Sequence, residues 1–164
     1  MKTKVLPAFA MLPVSIVIAH ADTPPLPPLK EGLWESHTQQ IIKKNKTQSV
    51  LELCRTHEYD ASIKASMKLA GENLRQLKQC TEKVTRRSAN SFSSEMRCVK
   101  DGSVTKVTMT FEGDTSYRME MHVKDGKSET ATIVDDRYMG NCPADMKPGD
   151  AVTADGKKMN LRSP

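Results

Sequence analysis

Residues 80–98 read Cys80-Thr-Glu-Lys-Val-Thr-Arg-Arg-Ser-Ala-Asn-Ser-Phe-Ser-Ser-Glu-Met-Arg-Cys98, two short arms about a Ser-Ala-Asn-Ser turn. A hairpin centred on Ala89 places Cys80 directly opposite Cys98. Directly opposed residues of an antiparallel pair bring their Cβ atoms close to the separation of about 3.8 Å found in disulfides. The stretch therefore predicts a β-hairpin closed by a Cys80–Cys98 disulfide.

Residues 1–21 have the features of a secretory signal peptide. Lys2 and Lys4 precede an uncharged apolar run over residues 5–18, and Ala19-His20-Ala21 is a small-x-small cleavage site. The run is too short for a transmembrane helix, and no later stretch is apolar enough to cross a bilayer. We expect a soluble, exported protein without a membrane span, cleaved near Ala21.

The chain has four cysteines, and an even number in a small exported protein indicates disulfides. Four cysteines allow three pairings. The hairpin selects Cys80–Cys98, which leaves Cys54 to pair with Cys142. Since no Cys-x-x-Cys pair is present, the spacing does not favour zinc.

The charge pattern argues against a nucleic-acid partner. The formal net charge is +5, and Lys2 and Lys4 account for two of these charges, which leaves +3 on the mature chain. Basic and acidic residues are interspersed, whereas a nucleic-acid interface needs one basic face. We interpret the short cluster Lys43-Lys44-Asn45-Lys46 as a polar turn between strands.

The remaining chain divides into three parts. Residues 22–29 hold four prolines and predict an extended leader. Residues 30–144 form a single β-rich domain. Residues 145–164 are polar and lack alternation, which predicts a disordered tail.

One helix is predicted between the first two cysteines, from Asp60 to Leu77. Apolar residues recur there at three- and four-residue spacing, and Asp60 is a plausible N-cap. Gly71 weakens the middle, so two shorter helices are the alternative. We expect the apolar stripe to pack on a sheet rather than to insert into a membrane. The stripe consists of Ile63, Met67, Ala70, Leu74 and Leu77.

The clearest alternation lies in residues 105–111 and 117–123, joined by a polar turn. It pairs Phe111 with Tyr117, Met109 with Met119 and Val107 with Met121 on one face. The facing of a further strand over residues 128–134 stays open. The fold class is mainly β (α+β): an antiparallel, strongly twisted or partly barrel-like sheet of about seven strands, with one packed helix and two disulfides.

Several of these features together resemble a known family. They are Gly32-Leu33-Trp34-Glu35, the cysteine order, the intervening helix, the Met- and Thr-rich strands and the closing Gly140-Asn141-Cys142. The chain resembles the exported bacterial proteins grouped as domain of unknown function 3617 (DUF3617) over residues 29–142. It departs from the usual Cys-Leu-Thr at Cys54-Arg55-Thr56. The resemblance implies a Gram-negative periplasmic location and no catalytic residues.

Catalytic and metal chemistry find little support in the sequence. The mature histidines are His37, His57 and His122, and no serine lies in a nucleophile-elbow motif, so we expect no enzyme. Met119 and Met121 are soft ligands of the kind that copper(I) prefers, but His122 faces away from them in a strand. We therefore expect no metal and no cofactor.

Two functions remain. The first is a monomeric binding module with a cavity for a small apolar ligand or lipid tail; a dry core of the same residues is the alternative. The second is an interaction or structural protein of the envelope that acts through its sheet edge and tails. The candidate cavity-lining residues are Trp34, Met96, Val107, Met109, Phe111, Tyr117, Met119 and Met121.

Overall fold

The computed structural model describes residues 28–126 and 128–161. The predicted signal peptide and the leader up to residue 27 lie outside the described residues. In chain order the elements are β1 Gly32–Ile42, β2 Asn45–Arg55, α1 His57–Lys78, β3 Cys80–Ser88, β4 Ser91–Cys98, β5 Val104–Glu112, β6 Ser116–Asp125, β7 Ser128–Gly140, β8 Asp150–Thr153 and β9 Lys158–Asn160.

The strands form one antiparallel sheet in the order β3-β4-β5-β6-β7-β1-β2-β8-β9. The sheet is open, with β3 and β9 at its edges. This confirms the mainly β class with one helix, although the described chain has nine strands where about seven were expected. The two additional strands, β8 and β9, lie beyond the predicted domain.

The predicted disordered tail is wrong over these two strands. Residues 151–153 pair with residues 51–53 of β2, and Ala151 is fully buried. The Gly149 N–H also donates a hydrogen bond to the Cys54 carbonyl at 2.8 Å. The free edge of β2 thus recruits a segment too short to show a period of its own. The predicted leader is wrong at its last residue, because Leu29 is buried in the core.

The hairpin that joins β3 to β4 confirms the predicted disulfide. Cys80 pairs with Cys98, with Cα atoms 3.9 Å apart, and Cys54 is bonded to Cys142, with Cα atoms 5.5 Å apart. A bulge after Val84 shifts the register by one residue. Because of that bulge the turn closes between Ser88 and Ser91 while the cysteines still face each other.

The pairing of β5 with β6 is as predicted, including Phe111 with Tyr117 and Met109 with Met119. In the β6–β7 hairpin, Asp125 pairs with Ser128 and Met121 with Thr132. Residues 130, 132 and 134 of β7 therefore share a face with Met121, which settles the facing that the sequence left open.

The helix differs from its prediction at its start and in its packing. Its N-cap is Thr56, whose Oγ1 accepts a hydrogen bond from the Tyr59 N–H at 3.2 Å, and Gly71 does not interrupt it. Tyr59 is the one buried residue of α1, all of whose residues are described. Met67 and Leu77 are 67% and 69% exposed, so the expected packing of the whole stripe is wrong.

Replacing Gly32 by alanine tests the β1–β7 contact. Gly32 has φ of +142°, and a Cβ there would lie 2.2 Å from the Gly140 carbonyl oxygen. We expect Gly32→Ala to lower the free energy of unfolding by roughly 3 kcal/mol, because it combines backbone strain with a backbone clash. Urea unfolding without reductant measures this change.

Gly71→Ala is the matched control, because it lies inside α1 and a Cβ there would meet only the Arg75 Nη2 at 4.0 Å, an ordinary contact distance. We expect it to raise the free energy of unfolding by about 0.5–1 kcal/mol. An unchanged unfolding midpoint for Gly32→Ala contradicts the prediction.

Candidate functional site

All eight predicted cavity-lining residues lie on one face of the sheet, which we call the core face. Paired residues of neighbouring strands share a face, and side chains alternate along each strand. The pairs Met109–Met119 and Trp34–Tyr138 therefore belong to the same face as Met96. The register brings together residues from β1, β4, β5 and β6.

One end of the core face is a closed aromatic cluster, which we call the aromatic end. The Trp34 ring centroid lies 6.2 Å from that of Tyr117 and 6.0 Å from that of Tyr138. Phe111 packs on Tyr117 at 5.9 Å, and Leu29 completes the cluster. Trp34 is fully buried and donates its indole N–H to the Lys30 carbonyl at 2.9 Å. Trp34 therefore lies inside this cluster.

Arg55, at the end of β2, joins this cluster to the helix. Its guanidinium carbon lies 5.0 Å from the Trp34 ring centroid, a cation–π distance. Its Nε donates to Asp60 Oδ1 at 3.0 Å, and its Nη1 donates to Asp136 Oδ2 at 3.2 Å and to the Tyr117 hydroxyl at 3.3 Å. One cation thus links β2, β6, β7 and the first turn of α1.

The sequence did not identify this group. Arg55 stood out as a departure from Cys-Leu-Thr and Asp60 as a plausible N-cap, and Asp136 was not singled out as a site residue. The structure places Asp135 on the opposite face, paired with Arg118 at 2.7 Å, while Asp136 is buried. The alternation of β7 could have separated the two acids, but it could not have paired Asp136 with Arg55.

Burial and charge shift the titration of this cluster. Burial, followed by the nearby Asp136 carboxylate, raises the pKa of the Tyr117 hydroxyl well above its ordinary value. Burial opposes the charge of Arg55, but the Tyr117 hydroxyl and the carboxylates of Asp60 and Asp136 outweigh it. The net shift of the Arg55 pKa is upward. Arg55 is therefore charged and Tyr117 neutral at ordinary pH.

Asp136 is the member of the cluster that most needs a counter-charge. Its side chain is 6% exposed, and its Oδ1 has no hydrogen-bond partner among the described residues. Arg55 is the cation that faces both this carboxylate and Asp60. A buried carboxylate that loses its cation is strongly destabilising, so the cluster depends on Arg55.

Beside the aromatic end, strands β4 to β6 carry a half-buried apolar patch on the core face. We call it the methionine half: Met96, Val107, Met109, Met119 and Met121. Two surface pockets, of about 400 and 320 Å³, lie on other parts of the sheet, and none of the predicted cavity residues lines either of them.

The helix α1 passes over the core face. It starts beside Arg55 on β2 and ends beside Glu82 on β3, whose carboxylate accepts a hydrogen bond from Arg75 at 2.8 Å. Glu82 pairs with Met96, so both ends of α1 touch the core face. Arg55 and Cys80 lie at opposite ends of the strands, and α1 therefore crosses the face diagonally.

The other residues considered as metal ligands do not come together. Met119 and Met121 share the core face, whereas His122 pairs with Lys106 on the opposite face. In the described part of the chain, no group of three or more His, Cys, Asp or Glu side chains could hold a metal ion. Within the same residues, no helix is long and apolar enough to cross a membrane.

Arg55→Met tests whether the cluster depends on its cation. It keeps a similar volume but leaves Asp136 buried without a counter-charge, so we expect a loss of about 3–5 kcal/mol in the free energy of unfolding. Arg118→Met is the control, because Arg118 is half-exposed beside Asp135 and should change stability by under about 1 kcal/mol. Equal losses in urea unfolding contradict the assignment.

The raised pKa of Tyr117 predicts a pH dependence. An unfolded tyrosine titrates near pH 10, while the folded hydroxyl holds its proton to higher pH. The folded state then binds more protons, so stability is fully present below about pH 10 and falls as the pH rises above it. We expect the free energy of unfolding of Tyr117→Phe to fall less than that of the unchanged protein between pH 9 and 11. The difference should develop over about one pH unit.

Absorbance at 295 nm provides an independent check on Tyr117. In urea-denatured protein the three tyrosines should titrate together at about pH 10. In folded protein the Tyr117 hydroxyl should stay protonated at that pH, and Tyr117→Phe should reduce the delayed fraction of the absorbance change. A folded titration identical to the denatured one contradicts the shift.

Comparison with known proteins identifies a family but no relative of known structure. The family model described as "Protein of unknown function (DUF3617)" matches residues 29–142, which include β1 to β7, α1 and all four cysteines. No curated protein and no solved structure matches the chain. The matched range covers most of the chain and both disulfides, and the chain belongs to the DUF3617 family.

Proposed function

We propose that this protein is an exported, non-catalytic binding module that holds a lipid acyl chain between the methionine half and α1. The observation that carries the proposal is the exposure of two apolar surfaces on the same side of one sheet. Met109, Met119 and Met121 are only half-buried, and Met67 and Leu77 of α1 are mostly exposed.

The apolar stripe of α1 begins in contact with the body of the protein. Tyr59 is buried and Ile63 is half-buried. A straight helix keeps residues at three- and four-residue spacing on one side, so Met67 and Leu77 point the same way as Tyr59. Their exposure means that this part of the stripe is not packed against the rest of the protein. We propose that a guest chain covers it.

A dry core of methionines is the competing explanation. It requires the stripe of α1 to cover the methionine half, as helices that pack on sheets do. Met67 at 67% exposure and Leu77 at 69% do not fit that arrangement. Methionine also suits a variable guest, because its unbranched thioether adapts to irregular shapes.

The size of the ligand follows from the energy of burial. Each buried methylene contributes about 0.8 kcal/mol, while association costs at least about 4 kcal/mol. A ligand with four buried carbons gains only about 3 kcal/mol, which does not offset that cost. A chain of about fourteen carbons gains about 11 kcal/mol. A long acyl chain is therefore favoured over a small apolar molecule.

Export to the periplasm is part of the proposal. The features of residues 1–21 and the pairing of all four cysteines support it, because disulfides persist in oxidising compartments. The alternative envelope interaction protein, acting through the sheet edge, has less support. A bulge after Val84 and the exposed charges of Lys83 and Arg86 make the β3 edge unsuited to strand addition.

A fluorescent probe tests the ligand site. N-phenyl-1-naphthylamine should bind the oxidised protein, and long-chain fatty acids and lysophospholipids should displace it. Met109→Gln combined with Met121→Gln should weaken binding at least about tenfold, because both side chains lie on the methionine half.

Thr108→Gln combined with His122→Gln is the matched control. These residues neighbour the two methionines but lie on the opposite face, so probe binding should be unchanged. Absence of probe binding, or equal loss in both double variants while urea unfolding shows folded proteins, contradicts the proposal. Native mass spectrometry of protein purified from periplasm should show a mass increment that matches a lipid.

A further inference from the structure

The antiparallel register gathers four connections at one end of the strands, opposite the aromatic end. They are the β1–β2 turn, the β6–β7 turn, the β4–β5 loop and the end of α1. The Val99 N–H donates to the Gln79 carbonyl at 3.2 Å, which holds the β4–β5 loop against the end of the helix. We call this region the basic end.

Positive charge dominates the described residues of the basic end. Lys78 pairs with Asp101 at 2.6 Å, and Glu82, Asp125 and Glu129 are further acids near this end. At the opposite end, the β5–β6 turn carries Glu112 and Asp114, and Lys30, Arg86 and Arg87 are basic. The lysines of the basic end are Lys43, Lys44, Lys46, Lys78, Lys100 and Lys124.

Large apolar side chains are exposed among these lysines. Ile42 is 44% exposed, Leu77 is 69% exposed and Val99 is 76% exposed. Ile42 ends β1, Leu77 lies in the last turn of α1 and Val99 follows β4, so all three lie at the basic end. Exposed apolar side chains beside lysines suit the interface of an anionic bilayer, since the apolar groups enter the headgroup region and the lysines meet its negative potential.

We infer that the basic end docks on anionic lipid surfaces. The methionine half lies between this end and the closed aromatic end, so an acyl chain reaches the core face from the docked side. The route of the acyl chain rests on the proposed function, whereas the docking itself rests on the charge and exposure of the basic end. A bilayer fits better than a nucleic acid, because the apolar tips have no role against phosphates.

Vesicle flotation tests the docking. The oxidised chain should float with vesicles of phosphatidylcholine containing about a third phosphatidylglycerol and far less with phosphatidylcholine alone. Binding should fall steeply between about 0.1 M and 1 M salt, because the screening length shrinks from about 10 Å to about 3 Å.

Charge reversal locates the surface. Lys43→Glu combined with Lys44→Glu should lower the partition coefficient at least about tenfold. Lys147→Glu combined with Lys157→Glu changes the net charge equally at exposed positions away from the basic end, and should lower it less than about threefold.

Truncating an apolar tip separates docking from simple charge attraction. Val99→Ser should weaken vesicle binding by about threefold or more, while Met139→Ser, exposed at the far end of β7, should leave it unchanged. Both side chains are exposed, so both variants should fold.

The inference is overturned if anionic vesicles do not bind at low salt, if neutral vesicles bind equally, or if the control variants lose as much binding. Recognition of a protein through the same lysines without vesicle binding also overturns it. Probe displacement is measured without vesicles, so docking without probe binding refutes the proposed function alone, and probe binding without docking refutes the inference alone.

Discussion

The guanidinium of Arg55 lies between the indole of Trp34 and the carboxylates of Asp60 and Asp136, and much of the molecule converges on it. Through these contacts β2 reaches β1, β7 and the first turn of α1. Two buried or half-buried carboxylates face one cation, so the charge of Arg55 both satisfies them and positions the helix. The Tyr117 hydroxyl adds β6 to the same group at 3.3 Å. The aromatic end is closed because this cluster fills it.

The two disulfides act at different places in the same frame. Cys54–Cys142 ties β2 to the chain that leaves β7 and so brings the last segment to the edge where β8 pairs. Cys80–Cys98 closes the edge hairpin directly beyond the end of α1. The helix is thus held at both ends, by Arg55 at its start and by the stapled hairpin at its end. Its middle is free to stand away from the sheet.

Because of this arrangement, the two ends of the strands differ in packing and charge. The aromatic end is packed and closed, the methionine half is apolar and half-open, and the basic end carries lysines with exposed apolar tips. Apolar burial favours a long acyl chain on the methionine half, and electrostatics favours an anionic surface at the basic end. The two proposals rest on different residues and different forces. The two proposed sites adjoin where the core face meets the basic end.

Local and periodic features follow from residue spacing alone. Alternation placed six residues of β5 and β6 on one face, the turn at residues 112–116 set the β5–β6 register, and hairpin symmetry paired Cys80 with Cys98. Such features depend on spacing along a strand. Tertiary structure alone decided the meeting of Arg55 with Asp136, 81 residues apart, the recruitment of β8 and the exposure of the α1 stripe. Burial and charge pairing between distant segments depend on how the whole chain assembles, and no local pattern encodes them.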